Sequence, residues 1–449
     1  MNTRPLSPGQ SGRATTDFTF ARYFHPLSIL LYKRFLDRAE TFSRDQLAEH
    51  QNTRLRDLLA YAYRHVPYYR EVFDARHIRP SDIARAEDLA QLPTLTKDTL
   101  RARRDDLLSD EFRRLGPDLT RTSGSTGTPL EFYTDRHIAV AKFALFWRVW
   151  GWTGYRLGRR WALIGGAVLE PGALWKHERM MNALYVSSFV MTPASVPAIL
   201  AKLQQFRPSM LRGYPSALCA LARLAANPAA LRRIGATAIV TNSETLLEPQ
   251  RQYLEEVFAC PVYDVYSQWE SVCVAAECRH RAFHHQMEYS ILEMLDNRDQ
   301  PVADGEMGEI TGTSLVNRVM PFIRYKTRDL ARRARRACPC GRAHDVIDRI
   351  DGRIEDSVVT PEGRHVGRLD AAFKYNRGFD VAQIVQDRVD CITVRLVKNR
   401  LFDGQEQAVL EQHLRNRLGD RIRIAFEFVE RIEPEPTGKL RFVISRLNA

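Results

Sequence analysis

A large α/β domain followed by a small α+β domain is the fold class that this sequence predicts, and three observations carry it. Helix-like and strand-like segments alternate between about residues 140 and 330, the pattern of parallel strands covered by helices. After Gly352 the pattern changes to strands of alternating polarity around one helix. With 449 residues, 44% of them hydrophobic, the chain is long enough for more than one core. The expected division is a large domain over residues 1–350 and a small one over 351–449.

Residues 1–45 carry no strong pattern, and about the first 15 are expected to be disordered. Leu55, Leu58, Leu59, Ala62 and Val66 recur at helical spacing until Pro67 ends the run. Helices are expected at Val196–Phe206, Pro215–Ala226 and Glu248–Phe258, with strands at Ala236–Val240 and Val262–Tyr266. In the small domain Ile392, Val394 and Leu396 alternate with polar neighbours, Val409–Leu418 is helical, and Ile424, Phe426 and Phe428 alternate again.

Several classes are disfavoured. Met1–Thr19 is polar and lacks the apolar centre of a signal peptide, and runs such as Ile29–Leu31 are far too short to span a membrane. A cytoplasmic location is the default expectation. Seven cysteines, an odd number in a long chain, favour reduced thiols or metal ligation over a disulfide framework. The net charge of +12 favours acidic ligands such as nucleotides or CoA. Arg332, Arg333, Arg335 and Arg336 are densely basic, but no aromatic residues are interleaved for base stacking, so no nucleic-acid partner is expected. A homodimer is an admissible assembly.

The stretch T-S-G-S-T-G-T-P-L at Thr122–Leu130 carries the strongest chemical signal. Gly124 and Gly127 free the backbone to approach a ligand, and successive N–H groups make a concave anion site. Thr122, Ser123, Ser125 and Thr126 add short donors, and no acid inside the run repels a phosphate. It is not the G-x-x-x-x-G-K-[ST] loop, because no lysine follows Gly127. A surface turn without function has a similar composition, so the stretch alone leaves both readings open.

Four companions decide between them: Y-S-Q-W-E at Tyr266–Glu270, G-E-I-T-G-T-S-L…M-P-F-I-R-Y-K-T-R-D-L over Gly308–Leu330, D-R-I-D-G-R-I-E-D at Asp348–Asp356, and P-T-G-K at Pro436–Lys439. In this order the set resembles the adenylate-forming (acyl/aryl-CoA synthetase) superfamily. More closely it resembles the phenylacetate–CoA ligase branch with its capsule-biosynthesis relatives. V-P-Y-Y-R-E (66–71), L-P-T-L-T-K-D-T-L-R (92–101), R-G-Y-P-S-A-L (212–218) and C-P-C-G-R (338–342) support that branch, and the resemblance runs from about Leu55 to Ile444.

The resemblance implies a large adenylate-forming domain and a mobile small one. The implied activity is ATP-dependent activation of a carboxylic acid, aromatic or otherwise compact. The acyl group then passes to the thiol of CoA or of a carrier protein, or alternatively to an amine; a weakly catalytic nucleotide-binding protein is a third reading. The 122–127 loop would cradle the triphosphate, and Glu270 would ligate Mg²⁺, a hard cation that prefers carboxylate oxygen. Tyr266 would pack on the adenine and Asp329 would accept the ribose hydroxyls, an ion pair with Arg328 or Arg324 being the plain alternative for that aspartate. Ser243 and Glu244 would line the same pocket, and Arg353 would supply a cation on its phosphate or ribose side. Lys439 is the expected catalytic cation at the α-phosphate, carried by a Pro- and Gly-rich loop. Glu355 stands where the family has its interdomain hinge.

Two residues depart from the family form Tyr-Gly-x-Ser/Thr-Glu. Ser267 replaces the glycine and Trp269 the small hydroxyl residue, which puts standard phosphate placement in doubt. The resemblance also implies a structural zinc site. Its ligands would be Cys278, His285, Cys338 and Cys340, with His284 the alternative fourth; buried free thiols are the competing reading.

Overall fold

Ser43 opens the first long helix. Its hydroxyl accepts the Gln46 N–H at 3.2 Å while the Gln46 side chain accepts the Ser43 N–H at 2.9 Å, a reciprocal cap. The helix spans Arg44–His65 and buries Leu55, Leu58, Leu59 and Ala62, the positions expected from their spacing. Val66 turns extended ahead of Pro67, which starts the next helix, Pro67–Ala75. The computed structural model describes residues 25–121, 130–167, 169–225, 227–353, 358–363, 365–366, 369–373, 378–435 and 440–447.

The N-terminal region departs from expectation. A helix spans Pro26–Ala39, where the sequence shows no clear pattern. Ile29 and Leu36 pack with the helix Arg136–Gly151, but Leu27, Leu30 and Leu31 are exposed. Apolar residues on both sides of the helix blur the 3.6-residue signal.

Strands β1 (Asp118–Arg121) and β2 (Glu131–Thr134) form an antiparallel hairpin whose register joins Arg121 to Glu131. The large sheet comprises β3 (Trp161–Gly165), β4 (Trp175–Glu178), β5 (Ala183–Ser187), β6 (Met210–Gly213), β7 (Ala238–Asn242) and β8 (Val262–Ser267). It continues with β9 (Val274–Glu277), β10 (Phe283–His285), β11 (Ser290–Leu295), β12 (Met307–Ser314), β13 (Tyr325–Arg333) and β14 (Val346–Arg353). Its order is β11-β12-β13-β14-β10-β9-β8-β7-β6-β3-β5-β4.

Strands β5, β3, β6, β7 and β8 are mutually parallel, as the alternation with helices predicts. One face of this layer packs on the helix Arg136–Gly151. The other packs on the helices Val196–Phe206, Pro215–Leu224 and Glu248–Phe258. Leu203, Leu211, Leu218, Ile239 and Leu254 are fully buried there, each contributing about 1.5–3 kcal/mol of transfer free energy. Beyond Ser267 the parallel expectation fails. From β9 to β14 every pairing is antiparallel, and the described residues of that stretch contain no helix to make a parallel crossover.

The short pair β15 (Val358–Val359) and β16 (His365–Val366) precedes a four-stranded sheet. That sheet joins β17 (Phe379–Arg388), β18 (Cys391–Lys398), β19 (Arg423–Phe428) and β20 (Val443–Ser445) in the order β19-β18-β17-β20. Ile392, Val394 and Leu396 of β18 are buried against Leu410, Leu414 and Leu418 of the helix Gly404–Leu418. Asp403 caps that helix through the Glu406 N–H at 2.9 Å, and Gly419 ends it with φ of 86°. Among the described residues no helix is long and apolar enough to cross a membrane.

Candidate active site

The C-terminal ends of the parallel strands face the small four-stranded unit across a cleft of about 2350 Å³. Lys142, Arg212, Glu244, Tyr266, Glu270 and Asp329 are among the residues lining it. A cleft at the carboxyl ends of parallel strands is where α/β folds hold their ligands.

Tyr266, one residue before the end of β8 and next to β9, reaches across to β13, where its hydroxyl donates to Asp329 Oδ2 at 2.5 Å. Gln268 Nε2 donates to the same phenol oxygen at 2.6 Å, and Gln268 Oε1 accepts the Cys273 N–H at 3.1 Å. Burial, then the Asp329 charge, pushes the Tyr266 pKa well up, so it stays a neutral phenol. Tyr266 and Asp329, far apart in sequence, thus form one unit. Arg324, one alternative partner considered for Asp329, instead pairs with Glu293 at 2.9 Å.

Glu270 follows in the turn after β8, where Ser271 adopts φ of 62°. Its carboxylate is buried and accepts the Tyr325 hydroxyl at 3.2 Å. Lys142, on the helix Arg136–Gly151, donates to the Trp269 carbonyl at 3.2 Å, and its ammonium lies 5.2 Å from the Trp269 ring centre. Burial lowers the Lys142 pKa to about 8, opposed by the charge of Glu270. The indole of Trp269 lines the cleft and is 39% exposed.

Ser243 leaves β7 with φ of 72° and accepts the Asn242 side-chain amide at 2.9 Å. Glu244 sits at the start of the helix Pro215–Leu224, taking the Ser216 N–H at 3.0 Å and its hydroxyl at 2.9 Å. It also accepts the Leu440 N–H at 2.8 Å, a hydrogen bond from the C-terminal segment to the large domain. The backbone of Arg353 pairs with that of Asp329.

Residues 122–129, Glu355 and Lys439 lie outside the described residues. The hairpin β1–β2 brackets the loop, and Leu130, directly after it, lines the cleft. Leu440, bonded to Glu244, directly follows Lys439 in the chain.

Three residues of this site escaped sequence reasoning: Lys142, Tyr325 and Arg212. Lys142 had a readable signal, a single lysine within the apolar run I-A-V-A-K-F-A-L-F-W. Tyr325 and Arg212 lie inside quoted motifs, but nothing in a linear pattern says which side chain of a strand faces a cleft.

A second cluster holds Cys278, His284, Cys338 and Cys340, whose donor atoms all lie within 4.8 Å of one another. Cys278 Sγ is 3.5 Å from Cys338 Sγ, and Cys340 Sγ is 3.2 Å from His284 Nε2. Of the two histidines the sequence offers, His285 first and His284 as its alternative, the structure places His284 beside the thiols. Successive residues of β10 point to opposite faces, which sends His285 to Ser290 Oγ at 2.9 Å and leaves His284 with the thiols. Burial, then the neighbouring Arg342 and His344, lowers the His284 pKa to about 4, the neutral form a metal needs. Three sulfurs and one imidazole match the donor chemistry of structural zinc. None of the four lines the cleft.

Comparison with known proteins adds five findings. Residues 358–446 match the family described as the CapK C-terminal domain. Protein CapK of Staphylococcus aureus is 25% identical over 415 residues, 90% of each chain. A phenylacetate–coenzyme A ligase of Thermus thermophilus is 28% identical over 330 residues, covering 71% of this chain and 73% of the other. The solved structure of 2-hydroxyisobutyryl-CoA ligase in the postadenylation state, in complex with R3-HIB-AMP, superimposes with a TM-score of 0.75 at 22% identity, over 92% of each chain. For the same ligase in the thioesterification state the TM-score is 0.58 over 91% of each.

Proposed function

We propose that the chain is an AMP-forming acid–thiol ligase of the adenylate-forming superfamily, in its phenylacetate–CoA ligase and CapK-like branch. In the first half-reaction a carboxylate oxygen attacks the α-phosphorus of ATP, forming an acyl-adenylate and releasing pyrophosphate. In the second, a thiol attacks the acyl carbonyl, loses its proton and displaces AMP.

The observation that carries this reading is the pair of networks at the end of β8. Tyr266 with Asp329 presents an aromatic face beside a carboxylate, which suits an adenosine, and Glu270 lies four residues after Tyr266, in the turn that follows β8. Glu270 is the carboxylate suited to Mg²⁺, which would neutralise phosphate charge when bound. The chain's own groups do the rest. Tyr325 orients the Glu270 carboxylate, and Lys142 anchors the Trp269 carbonyl and so the turn that carries Glu270. The loop 122–127 is assigned to the triphosphate and Lys439 to the α-phosphate. The contact of Leu440 with Glu244 supports a closed arrangement for the adenylation step.

Acid-dependent ATP–pyrophosphate exchange across a carboxylate panel, with acceptors omitted, tests the first half-reaction. CoA, a carrier-protein thiol and an amine added separately then identify the acceptor. Exchange with no acid would sink the reading. The Cys278, His284, Cys338 and Cys340 cluster is assigned to structural zinc, apart from the chemistry.

A further inference from the structure

Arg212 is a cation in the cleft that the proposed chemistry does not use. It stands on β6 of the parallel layer, one residue before the strand's last, and lines the cleft. Two rings of the helix Arg136–Gly151 hold it: its guanidinium carbon is 5.3 Å from the Phe146 ring centre and 5.4 Å from that of Trp150. Among the described residues no carboxylate pairs with it. The titratable groups close enough to act on its charge are the phenols Tyr185 and Tyr214. Burial lowers its pKa, as expected for a cation lacking a counter-charge.

Such an arrangement is costly in isolation. A guanidinium drawn largely out of water is normally paired, and contact with two aromatic rings offsets only part of that cost. An anion beside Arg212 would supply the missing counter-charge.

The position of that place follows from the helix. Lys142, at the Trp269–Glu270 turn, and Phe146, against Arg212, lie four residues apart, about 6 Å along the helix axis. The reacting carboxylate belongs near Glu270, and Arg212 stands about one helical turn further along the same wall. Phe189 and Met191 line the cleft as apolar surface.

We propose that Arg212 binds a second, negatively charged group at the far end of the acid, so that this chain selects a compact dicarboxylate over the matching monoacid. The planar fork of Arg donates two parallel N–H bonds to a carboxylate, and the two adjacent rings pack against the guanidinium. A monoacid of equal length would leave the guanidinium unpaired in the closed site, which is the source of the discrimination. This inference rests on the adenylation reading.

The experiment measures pyrophosphate exchange with matched probes: glutarate against butyrate, adipate against valerate, and terephthalate against benzoate. The wild-type chain should show kcat/KM at least about 10-fold higher for at least one diacid than for its monoacid partner. Arg212→Met should lower diacid kcat/KM by about 10²-fold, change monoacid values by less than about threefold, and leave the KM for ATP unchanged. Arg212→Lys keeps the charge without the fork and should fall between. Thermal melting of both variants shows whether the fold survives, and the graded response of the lysine variant carries the test if the methionine variant is unstable.

An increased KM for ATP in Arg212→Met would assign the guanidinium to the nucleotide and overturn the proposal. So would equal losses for monoacids and diacids, or wild-type preference for monoacids. Exchange with monoacids that Arg212→Met leaves untouched, without any diacid activity, removes the dicarboxylate inference and preserves the ligase. Exchange with neither class removes both.

Discussion

Lys142 shows what one residue is asked to do at this site. Its ammonium is buried at a cost, with its pKa brought down to about 8, yet it anchors the turn that presents Glu270. Lys142→Met keeps most of the stem and removes the desolvated charge. Its melting temperature should stay level or rise, while pyrophosphate exchange falls by about 10-fold or more, a trade of stability for activity. Unchanged exchange would show the anchor to be dispensable. Trp269, the departure from the family pattern, stands over that ammonium with part of its indole in the cleft. Trp269→Thr should lose about 0.5–1 kcal/mol of cation–π stabilisation and change the order of preferred acids, with the KM for ATP unchanged. A changed KM for ATP with the same acid order would place the indole at the phosphates instead.

At the scale of elements, strands set the precision of the site through close backbone contacts. Gly312 of β12 lies beneath the segment after Glu270: a Cβ there would meet the Val272 carbonyl oxygen at 2.3 Å. Backbone cannot move aside as a side-chain tip can, so Gly312→Ala should cost about 1–3 kcal/mol and slow exchange beyond the loss of folded protein. Denaturant unfolding together with exchange per folded molecule checks both halves. The turn that brings Cys338 and Cys340 to Cys278 and His284 is a similar fixed junction, joining β9, β10 and the segment before β14. Purified protein should carry about one zinc per chain, and Cys338→Ser with Cys340→Ser should lose it and destabilise the fold. Surviving molecules should bind ATP normally. Metal analysis that finds no zinc in protein never exposed to chelator would end this assignment, and His284→Ala, but not His285→Ala, should reduce zinc retention.

For the molecule as a whole, the question is how the small unit acts on the large one. The hydrogen bond from Leu440 N–H to Glu244 joins them next to Lys439 in the chain. Lys439→Ala should cut adenylation by about 10²-fold or more, and Glu244→Ala by several-fold, while both leave transfer from preformed acyl-adenylate largely intact. Equal loss in both half-reactions would mean that the contact holds the fold rather than one state of it.

Amino-acid order alone determined the local parts of this protein. Helical spacing placed Leu55, Leu58, Leu59 and Ala62 in a buried stripe, and period-two alternation placed Ile392, Val394 and Leu396 inside the small sheet. Those signals depend only on neighbours a few residues away. The motif order marked Tyr266, Glu270 and Asp329, and the structure brings all three to one cleft. The tertiary structure alone decided matters of direction and distance. It made β9 to β14 antiparallel, because the chain there turns back without a helix, and it chose His284 over His285 by the face of a strand. It also left Arg212 against two rings and without a carboxylate among the described residues, since a cation's partner is set by what the fold brings beside it and not by its sequence neighbours.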